Sequence, residues 1–215
     1  MFKDRRDAGQ KLARELSEYA NQEDVIVLGL PRGGVPVAFE VAKALKAPLD
    51  VFVVRKLGAP GNPELAMGAI ASGGVRVMNE GLVDRLAISD ASIEEAVGKE
   101  REKLQRREEI YRGARPETEL GGKTVILIDD GLATGATMRA AVSALREHNP
   151  EKIIVAVPAG PPETCAEFEE IVDESICLKT PRPFLGVGGA YRDFSQTTNE
   201  QVRDFLERAD EARAA

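Results

Sequence analysis

The sequence predicts an α/β fold: an open, mostly parallel sheet with flanking helices, carrying a β-hairpin and helix insertion and followed by a loop-like C-terminal segment. Three observations predict it. Short β-branched runs recur along the chain, these runs are apolar almost without interruption, and helical patterns lie between them. A strand that is apolar at every position is buried on both faces, the mark of a parallel sheet covered on both sides. Alternation of strand and helix then supplies right-handed crossovers. Ligands of such sheets bind outside the carboxyl ends of the strands, so the loops that leave those ends are where chemistry is sought.

In chain order, a helix over Asp4 to Tyr19 precedes the first strand, Val25 to Leu28, and a helix from Val35 to Leu45 leads to a strand at Asp50 to Val54. The alternation then breaks. Ala66 to Ile70 and Val75 to Met78 flank Ser72-Gly73-Gly74 and read as a hairpin. Ser92 to Arg112 reads as a long charged helix with Ile93, Val97, Leu104 and Tyr111 on one narrow buried stripe. That stripe suits a surface helix covering the insertion, or a contact with a partner subunit. The alternation resumes with strands at Thr124 to Ile128, Ile153 to Val157 and Ser175 to Leu178, separated by helices at Thr137 to Glu147 and Pro162 to Ile171. A loop-like, aromatic-bearing stretch, Pro181 to Phe194, and a helix from Thr198 to Arg213 complete the chain. The organisation expected is one domain over 1–215, with an insertion at 57–115 and a separate loop segment at 180–197.

Composition narrows the function. The chain has 215 residues, 43% of them hydrophobic, with 29 Lys and Arg against 36 Asp and Glu for a net charge of −7. Such an acidic balance, without a basic cluster, argues against a dedicated nucleic-acid binder. Apolar stretches fall well short of the ~20 residues that cross a bilayer, and the charged first turn lacks the apolar region of a signal peptide, so a cytoplasmic location without membrane association is expected. The sole histidine, His148, and two cysteines twelve apart, Cys165 and Cys177, make zinc sites, CxxC redox motifs and Ser-His-Asp triads poor explanations of an activity.

The most informative stretch runs from Thr124 to Thr137, TVILIDDGLATGAT. A hydrophobic strand passes straight into two acids, Asp129 and Asp130, and then through Gly131, Ala133, Thr134, Gly135 and Ala136 into a helix beginning near Thr137. Small residues at a strand-to-helix turn let backbone N–H groups converge on a phosphate, and the helix N-terminus adds partial positive charge. Carboxylates at the strand end can accept hydrogen bonds from two vicinal sugar hydroxyls. Acid pair and cradle together describe a ribose 5-phosphate site. The absence of GxxxxGK[ST] and of GxGxxG excludes the two commonest phosphate loops. An ordinary acidic helix cap would leave the second carboxylate and the Thr-Gly-Ala-Thr run unexplained.

This stretch resembles the 5-phosphoribosyl-1-diphosphate (PRPP) motif of type I phosphoribosyltransferases. Leu28 to Pro36 resembles that family's pyrophosphate loop, with Gly33 and Gly34 exposing N–H groups and Arg32 supplying charge. Arg55-Lys56, read as the end of a strand, is similar to the pair that opens the family's mobile catalytic loop. The resemblance implies transfer of the 5-phosphoribosyl group of PRPP to a nitrogen acceptor, a nucleobase or related heterocycle, with release of diphosphate. Arg32, Arg55 and Lys56 would stabilise the diphosphate, Asp129 and Asp130 the ribose, and Mg²⁺ would bridge substrate oxygens near Asp129 and Asp193. In the family a segment such as 180–197 forms a C-terminal hood over the acceptor, where Phe184 and Tyr191 would stack on it, and a homo-oligomer, a dimer, is expected. It further implies a cis or distorted Pro31–Arg32 peptide, with Gly33 or Gly34 in a conformation closed to other residues. Members acting on 6-oxopurines usually carry an Asp where this chain has Ala133, so the acceptor stays open. A non-catalytic PRPP or nucleotide sensor is the alternative of a different class.

Overall fold

The computed structural model describes residues 1–113 and 115–214. Ala114, inside the expected insertion, and Ala215 lie outside the described residues. The chain opens with α1 (Arg5–Glu15), whose N-cap Asp4 accepts a hydrogen bond from the Asp7 amide at 2.8 Å. There follow β1 (Val25–Gly29), α2 (Gly34–Leu45), β2 (Leu49–Val51), β3 (Val54–Ala59), β4 (Asn62–Ala71), β5 (Arg76–Met78), α3 (Glu80–Arg85) and α4 (Asp90–Arg112). The second half contains β6 (Thr124–Ile128), α5 (Ala136–Arg146), β7 (Lys152–Ala159), α6 (Pro162–Ile171), β8 (Glu174–Lys179) and α7 (Asn199–Ala214).

Five strands form one parallel sheet in the order β2-β1-β6-β7-β8, as the continuous apolar runs require. Their residues alternate between two cores. Val25, Val27, Ile126, Ile128 and Ile154 join α1, α2, α4 and α7 on one face, while Ile26, Leu28, Val125, Leu127 and Val155 join α5 and α6 on the other. A separate three-stranded antiparallel sheet, β3-β4-β5, carries the insertion. The predicted stripe of α4, Ile93, Val97, Leu104 and Tyr111, is buried, and α4 packs on β3, β4 and α7.

The structure corrects three expectations. Asp50 to Val54 is not one strand: the chain leaves the parallel sheet after Val51 and re-pairs as β3 from Val54. The side chain and main chain of Ser72 impose the break, its Oγ accepting from the Val53 amide at 3.0 Å and its amide donating to the Val53 carbonyl at 2.9 Å. Asp50, buried, is fixed by Arg112 Nε and Thr118 Oγ1, each at 3.0 Å. Second, the stretch after Lys56 is not a loop, since β3 and β4 pair through it and turn at Gly61, whose φ is +76°. Arg55 and Lys56 therefore lie early in a strand rather than at the end of one. Third, α1 stops at Glu15 and a short 3-10 turn, Ser17–Tyr19, replaces its last predicted turn.

Candidate active site

Strand order reverses between β1 and β6: β2 follows β1 on one side, and the later strands build outward from β6 on the other. Open α/β sheets bind ligands at this switch point. Gly29 stands opposite Ile128, and the Leu30 amide still donates to the Ile128 carbonyl at 2.8 Å. The loops Pro31–Gly34 and Asp129–Gly135 thus leave the sheet side by side.

In the first loop the Pro31–Arg32 peptide is cis. Gly33 is not in a glycine-only conformation, with φ −66° and ψ −30°, and Gly34 is the first residue of α2. Both glycines are required by space instead. A Cβ on Gly33 would lie 2.0 Å from Oδ2 of Asp130, and one on Gly34 would lie 2.6 Å from the Ile128 carbonyl oxygen. Arg32, half-buried, makes no ion pair among the described residues.

In the second loop Asp129 Oδ1 accepts the Asp130 amide at 2.8 Å. Ala133, Thr134 and Thr137 are exposed around the start of α5. Gly135 has φ +73°, the one position of the loop where a left-handed backbone calls for glycine. Thr134 Oγ1 accepts the Ala136 amide at 3.4 Å. A Cβ on Gly131 would meet Val187 at 2.6 Å, so the hood rests directly on the loop. Burial pushes the Asp129 carboxyl well above the ordinary carboxylate range, and the neighbouring Asp130 pushes it further. Burial also raises Asp130, with Arg5 opposing it.

Arg5 escapes the sequence reading. From the first turn of α1, its Nε and Nη2 both reach Asp130 Oδ2 at 2.8 Å. Tyr191 contributes differently from expectation. Its buried ring packs against Phe2 and Phe194, with centroids 5.6 and 5.1 Å away, and its hydroxyl donates to the Asp130 carbonyl at 2.6 Å. A ring so enclosed anchors the hood and leaves no face for an acceptor. Phe184 is half-buried against the cluster that contains Phe2 and Tyr191. The exposed Asp193 accepts the Ser195 amide at 2.9 Å, which lowers its pKa. Phe2, Lys3, Ala190, Arg192 and Asp193 are tied by three main-chain hydrogen bonds, clamping the N-terminus to the hood.

Successive strand residues face opposite ways, so Arg55 and Lys56 part company. Arg55 is bound to Glu100 of α4, Nε at 2.7 Å and Nη2 at 2.6 Å. Lys56 instead lines a cleft of about 710 Å³ between the insertion sheet and α5, together with Ala136. Among the described residues no group of three or more His, Cys, Asp or Glu gathers as a metal site. Away from the cleft, Cys165 of α6 and Cys177 of β8 are joined as a disulfide, a pairing their spacing alone did not reveal.

The phosphoribosyl transferase domain family matches residues 3–181. The chain belongs to the phosphoribosyltransferase family. It is 49% identical over 209 residues to a provisionally named phosphoribosyl transferase of Mycobacterium tuberculosis, a match covering 97% of this chain and 47% of that protein. The chain therefore spans about half the length of the curated relatives it matches. The crystal structure of TT1426 from Thermus thermophilus is 42% identical and superposes with a TM-score of 0.86, covering 96% of this chain and 98% of that one. Family membership is what the Asp129-Asp130 strand end and the TGAT turn implied. No helix among the described residues is long and apolar enough to cross a membrane.

Proposed function

We propose that the protein transfers the 5-phosphoribosyl group of PRPP to a nitrogen acceptor, a nucleobase or related heterocycle, with release of diphosphate. The observation that carries this reading is the abutment of the two loops at the switch point, with Asp129 and Asp130 facing Gly33 and Gly34 so closely that no side chain fits between. Such a site can hold a phosphorylated sugar at one end and its diphosphate at the other. The backbone N–H groups around Thr134 to Thr137 and the N-terminus of α5 would receive the 5-phosphate. The two carboxylates would accept the ribose hydroxyls and favour positive charge on the ring as the C1–O bond breaks. Arg32 and Lys56 would stabilise the departing diphosphate, while Arg55 is held by Glu100 and would need to exchange partners to join them.

Mg²⁺ fits this donor set. Asp129 is a hard oxygen ligand whose ionisation is opposed by burial and by Asp130, so a cation beside it relieves repulsion. Mg²⁺ ordinarily takes one or two carboxylates and completes its shell with substrate phosphates and water, so Asp129, with Asp193 through water, would hold it. Bound there, the ion would neutralise charge on the diphosphate.

The test is a screen of nitrogen heterocycles with PRPP and Mg²⁺, reading diphosphate release. Release that depends on one acceptor class and is lost in Asp129→Asn supports the enzyme. PRPP binding without release across the screen would favour the sensor.

A further inference from the structure

We infer that Arg5 is a positioning residue for the site: it acts through Asp130, orienting the carboxylate for the ribose and coupling that orientation to the hood. The inference rests on the reading of Asp130 as a ribose ligand. Guanidinium and carboxylate frequently pair fork to fork, two nitrogens on two oxygens, although Arg55 already sets two nitrogens on the single oxygen Oε2 of Glu100. Here Nε and Nη2 of Arg5 both converge on Oδ2 of Asp130 at 2.8 Å. The carboxyl of Asp130 is also within hydrogen-bonding reach of the Asp129 carboxyl, the other acid of the strand end. The engaged oxygen is the one that faces Gly33 across the loop junction, so Arg5 fixes the carboxylate where the two loops meet.

The rest of the guanidinium belongs to the hood. Nη1 donates to the Ser195 carbonyl at 2.7 Å, and Cζ lies 4.0 Å from the centroid of Phe194. Phe194 in turn stacks on Tyr191, whose hydroxyl holds the main chain of Asp130. Asp130 is therefore gripped at side chain and backbone by one clasp built from α1 and the hood. The clasp is well enclosed, the Arg5 and Asp130 side chains being 12% and 14% exposed. A bond that is largely shielded from water holds its geometry better than an exposed pair, which contributes little. Among the described residues Arg5 is also the one cation that pairs with either acid of the strand end.

The experiment is a binding cycle. PRPP is titrated calorimetrically, with Mg²⁺ present, into the wild-type protein, Arg5→Gln, Arg5→Lys, Asp130→Asn and the Arg5→Gln/Asp130→Asn double variant, with thermal melting of each. Loss of a charge-assisted contact predicts that Arg5→Gln weakens PRPP about tenfold, and that Arg5→Lys recovers part of the loss. Because Arg5 acts through Asp130, the double variant should bind within about twofold of Asp130→Asn alone. Full-strength binding by Arg5→Gln alongside a loss in Asp130→Asn would overturn the inference and leave the PRPP site standing. So would losses that multiply in the double variant. Wild-type affinity in Asp130→Asn would overturn the reading of the site itself. If Arg5→Gln does not fold, Arg5→Lys carries the test: its loss must vanish in the Asp130→Asn background, and its persistence there refutes the coupling.

Discussion

Replacing Gly33 by alanine tests the central geometry with a single methyl group. The new Cβ would stand 2.0 Å from Asp130 Oδ2 and 2.6 Å from its Cγ, whereas real Cβ atoms essentially never approach closer than 3.0 Å. The carboxylate must therefore retreat by about 1 Å, or the loop must carry Gly33 away from it. The oxygen that has to move receives both Arg5 donors at 2.8 Å, and a shift of that size takes at least one of them out of hydrogen-bonding range. A hydrogen bond to a charged group contributes ~1.5–3 kcal/mol. For a chain of this length 1 kcal/mol moves the melting temperature by roughly 2–4 °C, so a fall of about 3–12 °C is expected. PRPP affinity should drop about tenfold or more, because ~1.4 kcal/mol is a factor of ten. Differential scanning fluorimetry and calorimetric titration read the two effects. Gly81→Ala is the control: its Cβ would find nothing nearer than 3.8 Å, and within α3 it should be neutral or mildly stabilising. A Gly33→Ala protein that melts and binds PRPP like wild type would refute the tight abutment of the two loops.

Other outcomes follow from the same contacts. Asp129→Asn should raise the melting temperature of the ligand-free protein at pH 7: the raised Asp129 pKa means that the folded state binds its proton more tightly, so stability falls as pH climbs from the unfolded value of 3.8 through the folded one. The gain should shrink towards pH 4, where the wild-type carboxyl is itself neutral, and melts at pH 4, 5.5 and 7 that show a loss throughout would contradict it. Tyr191→Phe removes the hydroxyl from the Asp130 carbonyl and should cost ~1–3 kcal/mol by leaving a shielded acceptor without its partner, seen as a lower midpoint in urea. Reducing Cys165–Cys177, or replacing both residues with serine, should cost ~2–3 kcal/mol, the amount expected for a closed loop of roughly a dozen residues. A melting curve unchanged by dithiothreitol would rule that out.

What the sequence exposes and what it hides divide by range. Strands such as Val25–Gly29 and Thr124–Ile128 are buried at every position, and an unbroken apolar run announces this locally. The α4 stripe at Ile93, Val97, Leu104 and Tyr111 is likewise a local period. The acid pair and the small-residue turn are contiguous, so the site's centre was readable too. The break at Phe52 was not, because Asp50-Val51-Phe52-Val53-Val54 is apolar enough for one strand, and the break depends on Ser72 and on the hold of Arg112 upon Asp50. Arg5 sits among Asp4, Arg6 and Asp7 and reads as a solvated helix start, yet its partner is 125 residues away. Tyr191 carries the same lesson. An aromatic residue in a loop near a site suits stacking on a ligand equally well, and only its enclosure by Phe2 and Phe194 reveals an anchor.

The most direct test of the account is calorimetric titration of PRPP, with Mg²⁺, into the wild-type protein and into Asp129→Asn/Asp130→Asn. The switch-point site predicts saturable one-to-one binding by the wild type, and a loss of at least about a hundredfold in the double variant, since two charge-assisted contacts of ~1.5–3 kcal/mol each are removed. No binding by the folded wild-type protein, or equal affinity in both proteins, would contradict it.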